Sequence, residues 1–167
     1  MGRRNTWLNV DRRLTITVVM KFTLGPWKLL VDPEATRGCY EQCETSWGLG
    51  CNCGPCENLR LVRSQAYPAD GLEIFRELGI DPWRPFEISW YCREPSGLHL
   101  YGGWHYVCGS IENLQTVGRR IQHRLNSTFE IALTQPEKVR QPFSAFTCIQ
   151  IDFYCRLPWL SRLTEPD

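Results

Sequence analysis

The stretch FEISWYCREPSGLHLYGGWHYVCGSI, residues 86–111, decides the fold class. Phe86, Ile88, Trp90 and Cys92 alternate with Glu87, Ser89, Tyr91 and Arg93, and a period of two predicts a strand. Glu94, Pro95, Ser96 and Gly97 supply turn chemistry, after which residues 98–101 resume the pattern, so the two runs are expected to pair as an antiparallel hairpin. Gly102 and Gly103 interrupt the return strand, which signals a bulge or the close approach of another group to the backbone. Residues 104–111 continue it.

Upstream, 22–24 and 27–31 flank Gly25-Pro26 and read as a second hairpin. Asp32-Pro33 carries the N-cap and first-turn signature of a helix that is expected to run to about Glu44, before Gly48 and Gly50. Leu59 and Val62, then Leu72, Phe75 and Leu78 ahead of Gly79, predict two short helices. Downstream, 129–133 and 149–153 alternate as strands, while 113–127 is ambiguous because Gly118 weakens its helical stripe. Strands in runs, with helices grouped in one block, predict an α+β fold: a mostly antiparallel sheet, short helices and a cysteine-rich loop packed on one face.

The 167 residues fit one domain, with 43% hydrophobic and 22% charged residues. A net charge of +1 provides no broad field to hold nucleic acid, and no stretch is long and apolar enough to span a membrane. Residues 1–19 carry four arginines against Asp11 and precede a typical opening strand at Met20. They read as a disordered or non-native extension, with translation expected to begin at Met20 and one α+β domain over 20–167. Nine cysteines in 167 residues, about 5%, fall below the density of a secreted disulfide scaffold, and the one candidate export signal, 14–20 after Arg12 and Arg13, is short and lacks a small-residue cleavage site, so it is not expected to act as one. The expected compartment is the cytoplasm, where clustered thiols signal metal or redox chemistry.

Five cysteines, Cys39, Cys43, Cys51, Cys53 and Cys56, lie close together, whereas Cys92, Cys108, Cys148 and Cys155 fall in strand patterns and read as small buried apolar groups. In Cys51-Asn-Cys53-Gly-Pro-Cys56 the Gly-Pro pair enforces a turn, so three sulfurs can converge on one point. Zinc is the usual occupant of such a set and needs a fourth donor. Cys43 or His105 is the leading candidate, with Cys39 and His99 as alternatives.

Cys53-Gly-Pro-Cys56 also resembles the four residues at the active site of thioredoxins, where the first thiol is activated at a helix N-terminus. That resemblance implies Cys53 as nucleophile and Cys56 as resolving thiol. A Cys56–His105 nucleophile pair is a third arrangement. His105 alternates with Trp104 and Tyr106, so on a strand it faces away from both. Trp83 and Trp159, each beside proline, read as packing clamps.

Together, Cys51-x-Cys53-x-x-Cys56-x-Asn58, the 78–82 run LGIDP with Pro85 and Glu87, Tyr101-Gly-Gly-Trp-His105 with Gly109, and the 157–160 run LPWL resemble a family of small uncharacterised bacterial proteins. The resemblance implies a cytoplasmic bacterial protein and supplies no reaction. The expectation is therefore a non-enzymatic domain whose zinc-type loop serves stability or the binding of a protein partner or small ligand. The alternative is a thiol-disulfide oxidoreductase using Cys53 and Cys56.

Overall fold

The computed structural model describes residues 19–43, 51–113 and 122–166. Residues 1–18 of the proposed N-terminal extension, the glycines at 48 and 50 and the 114–121 part of the ambiguous stretch lie outside them. Among the described residues the order is β1 (Met20–Leu24), β2 (Trp27–Val31), α1 (Pro33–Gln42), α2 (Gly54–Val62), α3 (Ala69–Leu78), β3 (Glu87–Arg93), β4 (His99–Ile111), β5 (Gln122–Arg124), β6 (Phe129–Thr134) and β7 (Cys148–Leu157). The fold is α+β: one antiparallel sheet ordered β1-β2-β4-β7-β6-β5, with β3 also paired to β4. No helix of the described residues is long and apolar enough to cross a membrane.

Both expected hairpins form, the first with Leu24 opposite Trp27, the second with Arg93 opposite His99. A bulge between Trp90 and Cys92 shifts the second register. The Gly102-Gly103 pair answers to close approach: a Cβ on Gly103 would stand 2.0 Å from the Glu87 carbonyl oxygen, so the β3–β4 pairing there admits only glycine. Residues 122–124 form a strand, which settles that part of the ambiguous stretch against a helix.

Alternation along β4 and β7 places Tyr101, His105 and Val107 beside Cys155, Ile151 and Ile149 on the face covered by α2 and α3. Tyr67, Phe75, Phe129 and Phe153 pack there edge to face or stacked, burying their apolar area in one cluster. Helix α1 has a different task. β4 pairs with β3 at one end and with β2 at the other, leaving the backbone of Tyr106 and Cys108 between them without a strand neighbour on that edge.

Thr36 and Tyr40, four apart and therefore on one face of α1, fill that gap. The Tyr40 hydroxyl donates to the Tyr106 carbonyl and accepts from its N–H, each at 3.1 Å. The Cys108 N–H donates to Thr36 Oγ1 at 3.0 Å, and the Cys108 carbonyl accepts from the Asp32 N–H at 2.8 Å. Two hydroxyls thus stand in for a strand, because buried backbone groups left unpaired cost about 1–3 kcal/mol each.

Candidate metal centre

Helix α2 starts where its sequence requires. Cys53 is its extended N-cap, and Gly54-Pro55 occupies the first helical positions, where the missing proline N–H has no intrahelical partner to lose. Leu59 and Val62 bury the inner face of the helix. This fixed start puts Cys53 and Cys56 on neighbouring positions of the first turn, while Arg60 Nη1 donates to the Cys51 carbonyl at 2.9 Å and pins the chain just before it.

The Sγ atoms of Cys51, Cys53 and Cys56 all lie within 4.8 Å of one another, with Cys51 and Cys53 at 3.1 Å. Tetrahedral zinc with thiolate ligands separates its sulfurs by about 3.8 Å, a spacing these side chains reach by small rotations. The three thiols therefore form a group able to hold a metal ion.

Their electrostatics differ. Cys51 is shifted toward the thiolate by the Cys53 backbone N–H first, then by hydrogen bonds from Cys53 and Cys56 and the charge of Arg60. Cys56 is pushed up to about 12, by burial first and then by its two sulfur neighbours.

The proposed fourth ligands lie elsewhere. Cys43 donates its thiol to the Cys39 carbonyl at 3.4 Å and lines a separate cavity with Arg84 and Arg140. Cys39 is buried at the sheet beside Cys108, where burial pushes its thiol up to about 12.

His105 is 0% exposed, enclosed by Tyr40, Tyr67, Phe75 and Phe153. Its Nδ1 lies 3.3 Å from the Tyr40 hydroxyl and its Nε2 3.4 Å from that of Tyr67, and burial lowers its pKa to about 3. The structure does not bring His105 to Cys56 or to the three-thiol group.

His99, equally buried, accepts from Trp90 Nε1 at 3.0 Å on Nδ1 and contacts Glu165 at 2.8 Å through Nε2. Cys108, Cys148 and Cys155 are buried as expected, whereas Cys92 is exposed on β3. The only other histidine, His123, lies on β5 beside the Gly25 turn. All nine cysteines and all three histidines of the chain are among the described residues, and none completes the set.

Two features of the site escape the sequence reading. Asn58 is fully buried and makes four bonds: Nδ2 donates to the Tyr101 hydroxyl at 3.2 Å and the Pro158 carbonyl at 3.0 Å, and Oδ1 accepts from Leu160 N–H at 2.6 Å and Ser161 N–H at 3.1 Å. It ties the C-terminal arm, residues 158–166, to α2. Trp159 on that arm packs against the His99 ring at 4.9 Å and lies over Gly54.

The second feature is a cavity of about 300 Å³ that shares Cys53 and Cys56 as wall and has Leu59, Ile88, Trp90 and Tyr101 as floor. A polar residue beside Leu59 on the buried side of a helix was a signal for the first. Nothing local signalled the second, whose walls come from three elements.

No protein-family profile, curated protein or solved structure matches the chain.

Proposed function

We propose that this chain is a non-enzymatic α+β domain in which Cys51, Cys53 and Cys56 bind zinc, fixing the loop that enters α2 for stability or for presentation to a partner. The observation that supports it most is the convergence of three thiols on one point at the start of a helix whose position the core fixes. Cys51, Asn52 and Cys53 are exposed and bury little, so their order needs bonds rather than packing. Metal bonds would supply that order and add folding free energy directly. The reading carries with it a reducing, cytoplasmic compartment, since a metal-competent thiol loop must stay unoxidised.

Chelation is the test. Zinc present at about a thousandfold its dissociation constant stabilises by about 4 kcal/mol, so excess chelator should lower the melting temperature, and Cys51→Ser should lose both the metal and the effect. A melting curve indifferent to chelator sinks the proposal.

A second reading, thiol-disulfide exchange by Cys53 and Cys56, has one observation in its favour: Cys53 is the N-cap of α2 and Cys56 lies in its first turn, so the two thiols are held close together. Against it, Cys51 is the thiol shifted toward the thiolate and Cys56 is pushed the other way. Insulin reduction abolished by Cys53→Ser would support this reading. Activity no higher than that of a cysteine-free control would eliminate it.

A further inference from the structure

We infer that a metal on Cys51, Cys53 and Cys56 keeps its fourth position open to the adjoining cavity, and that this position takes a small thiol whose apolar body lies against Leu59, Ile88, Trp90 and Tyr101. The inference rests on the zinc reading and extends it from a structural loop to a ligand site.

The donor count leaves one position of a tetrahedral ion unfilled. Zinc sites that are only structural close with four protein ligands, whereas sites that bind small molecules keep three and leave one position to water or ligand. Among the described residues three converge. Of the chain's other thiols and imidazoles, His105 is sealed in the core, His99 is held by Trp90 and Glu165, and Cys43 faces another cavity.

Space for a ligand adjoins the thiols. The cavity, about 300 Å³, is walled by Cys53 and Cys56 themselves, so a molecule seated in it lies next to the metal, and its volume is at the low end for small-molecule sites. The lining is drawn from three elements. Ile88 and Trp90 come from β3, Leu59 from α2 and Tyr101 from β4.

The polar side chains of the lining are already engaged: the Trp90 N–H donates to His99, the Tyr101 hydroxyl donates to the Pro55 carbonyl and accepts from Asn58, and the Ser89 hydroxyl donates to the Glu87 carboxylate at 3.4 Å. No charged side chain lines it. A phosphate or a carboxylate would meet no cationic side chain there, whereas an apolar body lies against Leu59, Ile88, Trp90 and the Tyr101 ring.

Soft thiolate ligands suit a soft-donor zinc set. On binding, the thiol gives its proton to solvent, its sulfur forms the fourth bond to zinc, and the bound water leaves. The resulting negative charge lies at the N-terminus of α2 and near Arg60, both of which offset it.

The test uses the full chain loaded with Co²⁺ in place of zinc, whose thiolate absorption bands report each bound sulfur. Benzyl mercaptan, 2-mercaptoethanol and imidazole are titrated in turn. The expected result is a saturable rise in the thiolate band, with benzyl mercaptan binding at least tenfold tighter than 2-mercaptoethanol. Trp90→Ala should remove most of that preference with cobalt stoichiometry unchanged. Ile88→Ala, a milder change at the same wall, should weaken it in the same direction should Trp90→Ala fail to fold.

A cobalt-loaded protein whose spectrum no thiol alters has a closed fourth position, which overturns this inference and leaves the zinc reading standing. Failure to bind cobalt at all overturns the zinc reading instead. Saturation by imidazole alone, or equal affinity for the two thiols in every variant, refutes the assigned ligand class.

Discussion

Replacing Asn58 by alanine should release the C-terminal arm from α2 while leaving the sheet intact. The side chain makes four hydrogen bonds, two donated and two accepted, and three of them reach residues 158–161. A net contribution of about 0.5–1.5 kcal/mol per bond gives about 2–6 kcal/mol for the set. The arm is near the surface, with Leu160 56% exposed, so water recovers part of what its amides lose. The Tyr101 hydroxyl also keeps Pro55.

The lower part of the range, about 2–4 kcal/mol, therefore applies, equivalent to a fall in melting temperature of about 4–16 °C for a domain of this size. Asn58→Asp is the graded control. It keeps an acceptor for Leu160 and Ser161, loses the donations from Nδ2 and sets an oxygen against the Pro158 carbonyl. Amide hydrogen exchange reads the location of the damage. Protection at 160–161 should drop in both variants, more in the alanine, while the amides of β7 keep theirs until global unfolding. Unchanged protection at 160–161 in Asn58→Ala, or a melting shift under 2 °C, would refute the reasoning that Asn58 holds the arm.

Tyr40→Phe leaves the Tyr106 N–H and C=O unpaired, and Thr36→Val does the same to the Cys108 N–H; each should cost about 1–3 kcal/mol or somewhat more for Tyr40, read from urea midpoints. His105, whose pKa falls from 6.5 to about 3 on folding, stays neutral in the folded protein while the unfolded chain takes up a proton. Its contribution is therefore fully present above pH 6.5 and is lost toward pH 3, with a slope of up to about 1.4 kcal/mol per pH unit, and His105→Phe should flatten that limb of the stability profile. Brief alkylation of metal-free native protein at pH 7.5 should label Cys51 before Cys56, Cys39 or Cys155, as read by peptide mass spectrometry, because only Cys51 of these is shifted toward the thiolate. Earlier labelling at Cys56 would contradict that assignment.

What the sequence made legible is what local physics controls. Period-two alternation and the turn residues at Gly25-Pro26 and 94–97 gave both hairpins, and the alternation of Trp104, His105 and Tyr106 placed the imidazole on the opposite face from its neighbours. Asp32 caps α1 through its side chain, and Gly79 ends α3 in the left-handed conformation, both as their residue types require. The role of α1 was hidden, because Thr36 and Tyr40 read as ordinary helix positions until the interrupted pairing of β4 places three backbone groups in need beside them. The same division holds at the site. Three thiols within six residues converge through the local chain alone, whereas the Asn58 clamp and the cavity depend on segments about 30 to 100 residues away.

That division bears on what the metal would do. Pro55 is held through its carbonyl by the Tyr101 hydroxyl, Gly54 lies under Trp159, and Asn58 binds both Tyr101 and the arm, so the first turn of α2 is already positioned by contacts that need no metal. Cys56 is fixed with it. Cys51 is the free end of the set, held by one arginine bond to its carbonyl and by sulfur hydrogen bonds. Thiols are weak donors and acceptors, so these bonds order the loop less firmly than the core orders the helix. Metal binding should accordingly draw Cys51 toward a site whose other side stands ready. Loss of protection on chelation should then concentrate at 51–53 and spare Asn58 and Leu59.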